Sequence, residues 1–151
     1  MVINYPRDIE PDLTGIIVMS HGPLAKALVD SSRMIVGEAS NIASISLEDG
    51  DDVNSFRQEF IKMYDSLPGN PLVLIDIKGG TPFNQILFAI EEAGMKNILA
   101  LSGANLCMLV EAAFARKDAS DKQLLKQIKQ AGQESILDVG ELAERLKLTD
   151  K

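Results

Sequence analysis

Apolar residues along the chain fall into short continuous runs, separated by segments in which they recur every three or four positions. Residues 15–20 (GIIVMS) form one such run and predict a buried strand that stops just before His21. Gly22 and Pro23 start the next element sharply. Leu24, Ala27, Leu28 and Ile35 then recur at helical spacing to about Val36, with Gly37 as the stop. Residues 42–47 (IASISL) alternate as a second strand. Asp51 is placed to cap a helix carrying Val53, Phe56, Phe60, Met63 and Leu67, which PGNP at 68–71 breaks. The clearest strand is 72–77 (LVLIDI). After the loop of Lys78, Gly79 and Gly80, Thr81 is expected to cap a helix with Pro82 at its first position and Phe83, Leu87 and Ile90 on one face, ending at Gly94. Residues 97–101 (NILAL) give a fourth strand, and SGAN leads to a helix over 106–116. A further helix is predicted over 121–131, a short strand over 135–139 and an amphipathic turn or helix over 141–146.

Strands that alternate with helices imply an α/β domain with a mainly parallel sheet covered on both faces. The whole chain, 1–151, reads as one domain, with residues 1–12 as an extended lead-in. Apolar residues make up 46% of it, enough for a sizeable core. The formal charge of −7 gives no support to a nucleic-acid partner. Proline and acidic residues interrupt the opening MVINYPRDIEPDL, so no secretion signal is expected. No apolar run approaches the roughly 20 residues that span a bilayer, so a cytoplasmic protein is expected. Cys107 is the lone cysteine and sits among apolar neighbours, which suggests a core position. With one histidine, one cysteine and no zinc-site spacing, neither a metal nor a bound cofactor is expected.

Open α/β sheets place ligands beyond the carboxyl ends of their strands. Three motifs fall at that edge: SHGP after the first strand, DIKGGTPFN around the end of the third, and LSGAN after the fourth. His21 is the natural chemical centre, because one imidazole nitrogen can act as a nucleophile while a carboxylate orients the other. Asp76 lies where it can reach His21 across the sheet. Gly80 and Thr81 lead into a helix whose free amide hydrogens suit an oxyanion. Local pattern alone also fits a surface histidine, a turn aspartate and an ordinary threonine-capped helix. The spacing is neither that of GxxxxGK[ST] nor that of GxGxxG, so nucleotide binding gains no support.

The ordered set GIIVMSHGP, DIKGGTPFN and SGANLCMLVE resembles the A component, or enzyme IIA (EIIA), of the mannose-type branch of the phosphoenolpyruvate-dependent sugar phosphotransferase system (PTS). The resemblance covers most of the chain after the amino-terminal extension. It implies a three-layer α/β/α sandwich and a homodimer in which a carboxyl-terminal antiparallel strand, here 135–139, is exchanged. It also implies a transient phosphohistidine at His21, which accepts the phosphoryl group from HPr and donates it to a histidine of the EIIB component. Asp76 would hold the distal ring nitrogen, and Thr81 with nearby amides would meet the phosphoryl oxygens. EIIB in turn serves the membrane permease subunits EIIC and EIID, so peripheral association with that complex is implied. The chemistry concerns phosphate and protein surfaces rather than a particular sugar.

The chain departs from the family pattern at three places. Thr81 stands where many relatives have serine, Lys78 where they often have a bulky apolar or aromatic residue, and residues 1–12 lengthen the amino terminus. Lys78 fits either a supporting role toward an anion or acidic partner, or simple exposure. Asn105 fits either an active-loop residue or a helix cap. Phe83, Leu106 and Met108 read as packing or partner-contact residues. Two other functions share these features: the phosphocarrier subunit of a dihydroxyacetone kinase, and a non-catalytic regulatory α/β module. The Pro–Phe–Asn continuation of GGTPFN favours the sugar-transport branch.

Overall fold

A computed structural model describes residues 1–149. In chain order the elements are β1 (Val2–Asn4), β2 (Ile16–His21), α1 (Leu24–Val36), β3 (Ile42–Leu47), α2 (Val53–Ser66) and β4 (Leu72–Ile75), then α3 (Thr81–Glu92), β5 (Leu99–Ser102), α4 (Leu106–Ala115), α5 (Asp121–Glu134) and α6 (Val139–Thr149). The five strands lie in the order β1-β3-β2-β4-β5. β3, β2, β4 and β5 run parallel, in registers that include Ile17 opposite Ala43 and Val73, and Leu74 opposite Leu101.

Successive side chains of a strand point to opposite faces, so each apolar strand supplies two cores. Ile16, Val18, Ile42, Leu72 and Leu74 pack under α1, α4 and α5, against Val29, Leu109, Ala112, Leu124 and Ile128. Ile17, Met19, Ile45, Val73 and Ile75 meet α2 and α3 through Phe56, Phe60, Met63, Ile86 and Ala89. The result is the expected three-layer sandwich. Each large side chain fully enclosed here, such as Phe56 or Leu109, contributes about 1.5–3 kcal/mol by leaving water.

Within this chain's own sheet the antiparallel strand comes from the amino terminus. Within the 1–12 lead-in, β1 pairs antiparallel with β3, Ile3 opposite Ile45, while Met1 and Ile3 pack on the α2/α3 core. Residues 135–138 form a turn and an irregular stretch, not a strand within their own chain. Two helices take up the surrounding backbone. α5 runs on to Glu134, and Asp138 opens α6 by accepting from the Glu141 N–H at 2.9 Å.

Several finer expectations shift by a residue or a face. Asp52, not Asp51, caps α2 by accepting from the Ser55 N–H at 2.8 Å. Asp51 is occupied instead with the Glu48 N–H and the amino terminus. α1 buries Ala25, Val29 and Ser32 and leaves Leu24 and Ile35 exposed. On α3 the buried face is Pro82, Gln85, Ile86 and Ala89, with Phe83 and Ile90 partly covered and Leu87 exposed. Cys107 is exposed, because α4 turns Met108, Leu109, Ala112 and Ala113 inward.

Candidate functional site

The sheet ends set the position of the site. β2 continues two residues beyond β4 and carries His21 to its carboxyl end, where β4 has already stopped and turned at Asp76. The Asp76 N–H donates to Met19 O at 3.0 Å, so the turn is tied to β2 two residues before His21. From there the Asp76 carboxylate reaches across. Its Oδ2 accepts from the His21 backbone N–H at 2.9 Å and lies 2.7 Å from His21 Nδ1, and its Oδ1 accepts from the Ile77 N–H at 2.8 Å.

Both carboxylate oxygens thus serve as acceptors, and this bonding pattern assigns the ring proton to Nδ1. The second ring nitrogen, Nε2, keeps its lone pair. The side chain of His21 is 47% exposed and that of Asp76 10%, so the imidazole is half open to solvent while its support is largely covered. An imidazole held in this way is ready to attack an electrophile brought from outside.

Ser20, which none of the sequence motifs singles out for a role, secures the backbone beneath this arrangement. Pro23 stands at the amino end of α1 and makes no side-chain cap. The buried Ser20 hydroxyl does so instead. It accepts from the Ala25 N–H at 2.7 Å and donates to Gly22 O at 3.2 Å. The Gly22 N–H donates to Leu47 O at 2.7 Å, fastening the turn to β3. A serine two residues ahead of a Gly–Pro helix start is the sequence signal that points to this cap.

The loop after β4 brings the amino end of α3 to the same edge. Gly80, not Thr81, is the cap residue of α3; Thr81 is its first residue and Pro82 the second, and no side chain caps the helix. The leading amide hydrogens therefore remain available to an anion. Asn84, the last residue of GGTPFN, closes the loop through Nδ2 to Gly79 O at 3.3 Å. Lys78 is exposed, and its ammonium bonds no protein group among the described residues.

Asn105 belongs to a neighbouring piece of the edge. Its side chain caps α4 by accepting from the Met108 N–H at 3.0 Å, as one of the two expectations has it. The loop before it is joined to the site's support through the Ala104 N–H, which donates to Ile75 O at 2.9 Å. The structure thus gathers His21, Asp76 and Gly80 closely, sets Thr81 at the helix start beside them, and leaves Lys78 on the rim. Among the described residues, no His, Cys, Asp and Glu side chains group to hold a metal ion, and no helix is long and apolar enough to cross a membrane.

Comparison with known proteins bears on the same residues. Residues 15–129, more than half of the chain, match the family described as "PTS system fructose IIA component". The fructose-specific EIIA component of Bacillus subtilis is 29% identical over 141 residues, covering 92% of this chain and 95% of that protein. The mannose-specific EIIAB component of Escherichia coli is 28% identical over 125 residues, which is 80% of this chain but 38% of that longer protein. Among solved structures, the phosphotransferase system component EIIA of Streptococcus agalactiae superposes with a TM-score of 0.78 at 29% identity, covering 85% of this chain and 99% of that one. The matched span contains the histidine at the end of β2, the aspartate after β4 and the glycine–threonine start of α3, and the chain belongs to the mannose-type EIIA family of the sugar phosphotransferase system.

Proposed function

We propose that this phosphotransferase component carries its phosphoryl group on Nε2 of His21, taking it from the phosphohistidine of HPr and passing it to a histidine of a mannose-type EIIB component. The 2.7 Å contact between Nδ1 and Asp76 Oδ2 carries this reading, since it leaves Nε2 as the nucleophilic nitrogen. In the first transfer the Nε2 lone pair forms the new N–P bond as the N–P bond to the HPr imidazole breaks, and that ring departs with the electron pair. The His21 ring then holds both its Nδ1 proton and the phosphoryl group. Asp76 offsets the positive character that develops on it. The second transfer runs the same exchange toward EIIB.

Phosphoryl transfer requires alignment and stabilisation of the peripheral oxygens. In this reading the Thr81 hydroxyl and the amides of Gly80 and Thr81 meet those oxygens at the amino end of α3. Lys78, free on the rim, adds a positive charge toward the phosphoryl group or an acidic partner surface. Membership of the EIIA family counts against the dihydroxyacetone-kinase and regulatory readings. The protein would work on the cytoplasmic side of the membrane, supplying EIIB and through it the EIIC and EIID permease.

The same reading includes a homodimer formed at β5. That strand has a strand neighbour on one side only. Beside it lies a cavity of about 450 Å³ lined by Phe83, Leu101, Met108 and Ile136 among others. Ile136, Leu137 and Val139, just beyond α5, are 81%, 66% and 74% exposed. An exposed apolar segment next to an open strand edge suits exchange between two copies, the segment of each adding to the edge of the other.

The deciding experiment is incubation with phosphoenolpyruvate, enzyme I and HPr, followed by intact-mass measurement. One acid-labile phosphoryl group is expected on the wild type and none on His21→Ala. A wild-type protein that stays unmodified in the presence of phosphorylated HPr refutes the proposal.

A further inference from the structure

The two glycines of the loop before α3 differ in why they are glycine. Gly79 has a φ of +78°, a left-handed conformation that side chains other than hydrogen adopt only with strain, and a Cβ built there would touch nothing within 4 Å. Gly80 has φ −75° and ψ 174°, ordinary extended backbone open to any residue. Its constraint is space. A Cβ at Gly80 would stand 2.6 Å from His21 Cε1, 3.0 Å from Ile77 Cγ2 and 3.4 Å from His21 Nε2.

We infer that Gly80 is a positioning residue for His21: its missing side chain is the room in which the Cε1–Nε2 edge of the imidazole lies against the start of α3. Two restraints then define the ring together. Asp76 holds it at Nδ1, and the bare Gly80 backbone allows its opposite edge to settle beside the helix amino end. A methyl group at position 80 meets ring carbon on one side and Ile77 on the other. The loop can yield by moving Ile77, but Cε1 must move regardless, either by rotating the ring off Asp76 or by lifting it from the helix. Both responses leave Nε2 out of line with the amides that would receive the phosphoryl oxygens.

The inference uses the phosphocarrier reading only in its kinetic arm, so the two can fail separately. Gly80→Ala, Gly79→Ala and the double variant Ile77→Ala/Gly80→Ala would be compared with wild type by thermal unfolding and by ¹⁵N resonances of the His21 ring. The kinetic arm measures the rate of phosphorylation by potassium phosphoramidate. This small donor needs no protein partner: its P–N bond breaks, ammonia leaves, and the phosphoryl group bonds to Nε2. For Gly80→Ala we expect a Tm near wild type, displaced ring resonances and a rate lower by about ten- to a hundredfold. The double variant relieves the Ile77 contact but not the ring contact, so it should keep the displaced resonances even where Gly80→Ala alone folds poorly. Gly79→Ala should lower Tm and leave the ring resonances in place.

Wild-type ring resonances in Gly80→Ala and the double variant, or an equal displacement in Gly79→Ala, would overturn the inference. Displaced resonances in Gly80→Ala, together with a wild type that takes no phosphoryl group, would uphold the positioning role and remove the phosphocarrier reading instead.

Discussion

A single carboxylate does most of the positioning at His21. Asp76 accepts from the backbone and the ring of the same residue, so it restrains main chain and imidazole together. Asp76→Asn keeps the shape but replaces an acceptor oxygen with a donor group or a neutral carbonyl. Transfer should slow by about tenfold or more, with the fold retained, when phosphorylation by HPr is timed. Unchanged kinetics would remove Asp76 from the mechanism. Ser20 acts one step further back. Ser20→Ala deletes the group that caps α1 and ties down the Gly22 turn. It should cost about 1 kcal/mol in denaturant unfolding. His21, Asp76 and Gly80 are legible in the sequence because strand-end motifs in an α/β chain must converge on one edge. Ser20 is harder to read: its only signal is its place ahead of the Gly–Pro helix start, and a buried serine on a strand otherwise resembles ordinary packing until its acceptor role toward Ala25 is visible.

Among the elements, apolar periodicity locates the helices but misjudges which face of some of them is covered. α1 packs through alanine and serine, small residues that let the helix approach the sheet, while its larger Leu24 and Ile35 look outward. Size is a poor guide where close approach decides the contact. The same limit explains Cys107, placed outside by a helix with apolar residues on more than one face. β1 is hidden because three residues followed closely by Pro6 and charged positions give no periodicity, and only the edge of β3 makes them a strand. Capping chemistry is testable at this scale. Hydrogen bonds from the Ser55 N–H and hydroxyl hold the Asp52 carboxyl below its ordinary value of 3.8. A depressed carboxyl stabilises the fold above pH 3.8 and loses that contribution as pH falls through the lowered value. Asp52→Asn retains a cap that does not titrate. The Tm advantage of wild type over this variant at neutral pH should therefore shrink on acidification through that range, and a constant difference would show that Asp52 is not the titrating cap.

Across the molecule, chemistry and anchorage occupy opposite ends of the sheet. Arg116, at the end of α4, is nearly enclosed and donates to Thr14 O at 3.0 Å and Ser40 O at 2.7 Å, clasping the segments that enter β2 and β3. Burial pulls its guanidinium down to about 10. Arg116→Ala leaves both carbonyls short of a donor and should destabilise by about 2–4 kcal/mol in urea unfolding. Phosphorylation of His21 should persist below the lowered Tm, and its loss in the folded variant would show that the two ends are coupled. The proposed dimer belongs to this scale too. Ile136→Asp should shift the mass measured by light scattering toward one chain while single-chain phosphorylation by phosphoramidate continues.

The three residues of β1 have a consequence for how this sheet can grow. They occupy the flank of β3 and end the hydrogen-bonding ladder there with a strand too short to template another. Among the described strands, that leaves β5 as the flank at which the proposed exchange would add to the sheet. A sheet with two usable flanks can pass strands from molecule to molecule without end, as fibres do. One with a single usable flank is satisfied by one encounter, so in the proposed dimer the stub at the amino terminus would act as a stop codon for assembly.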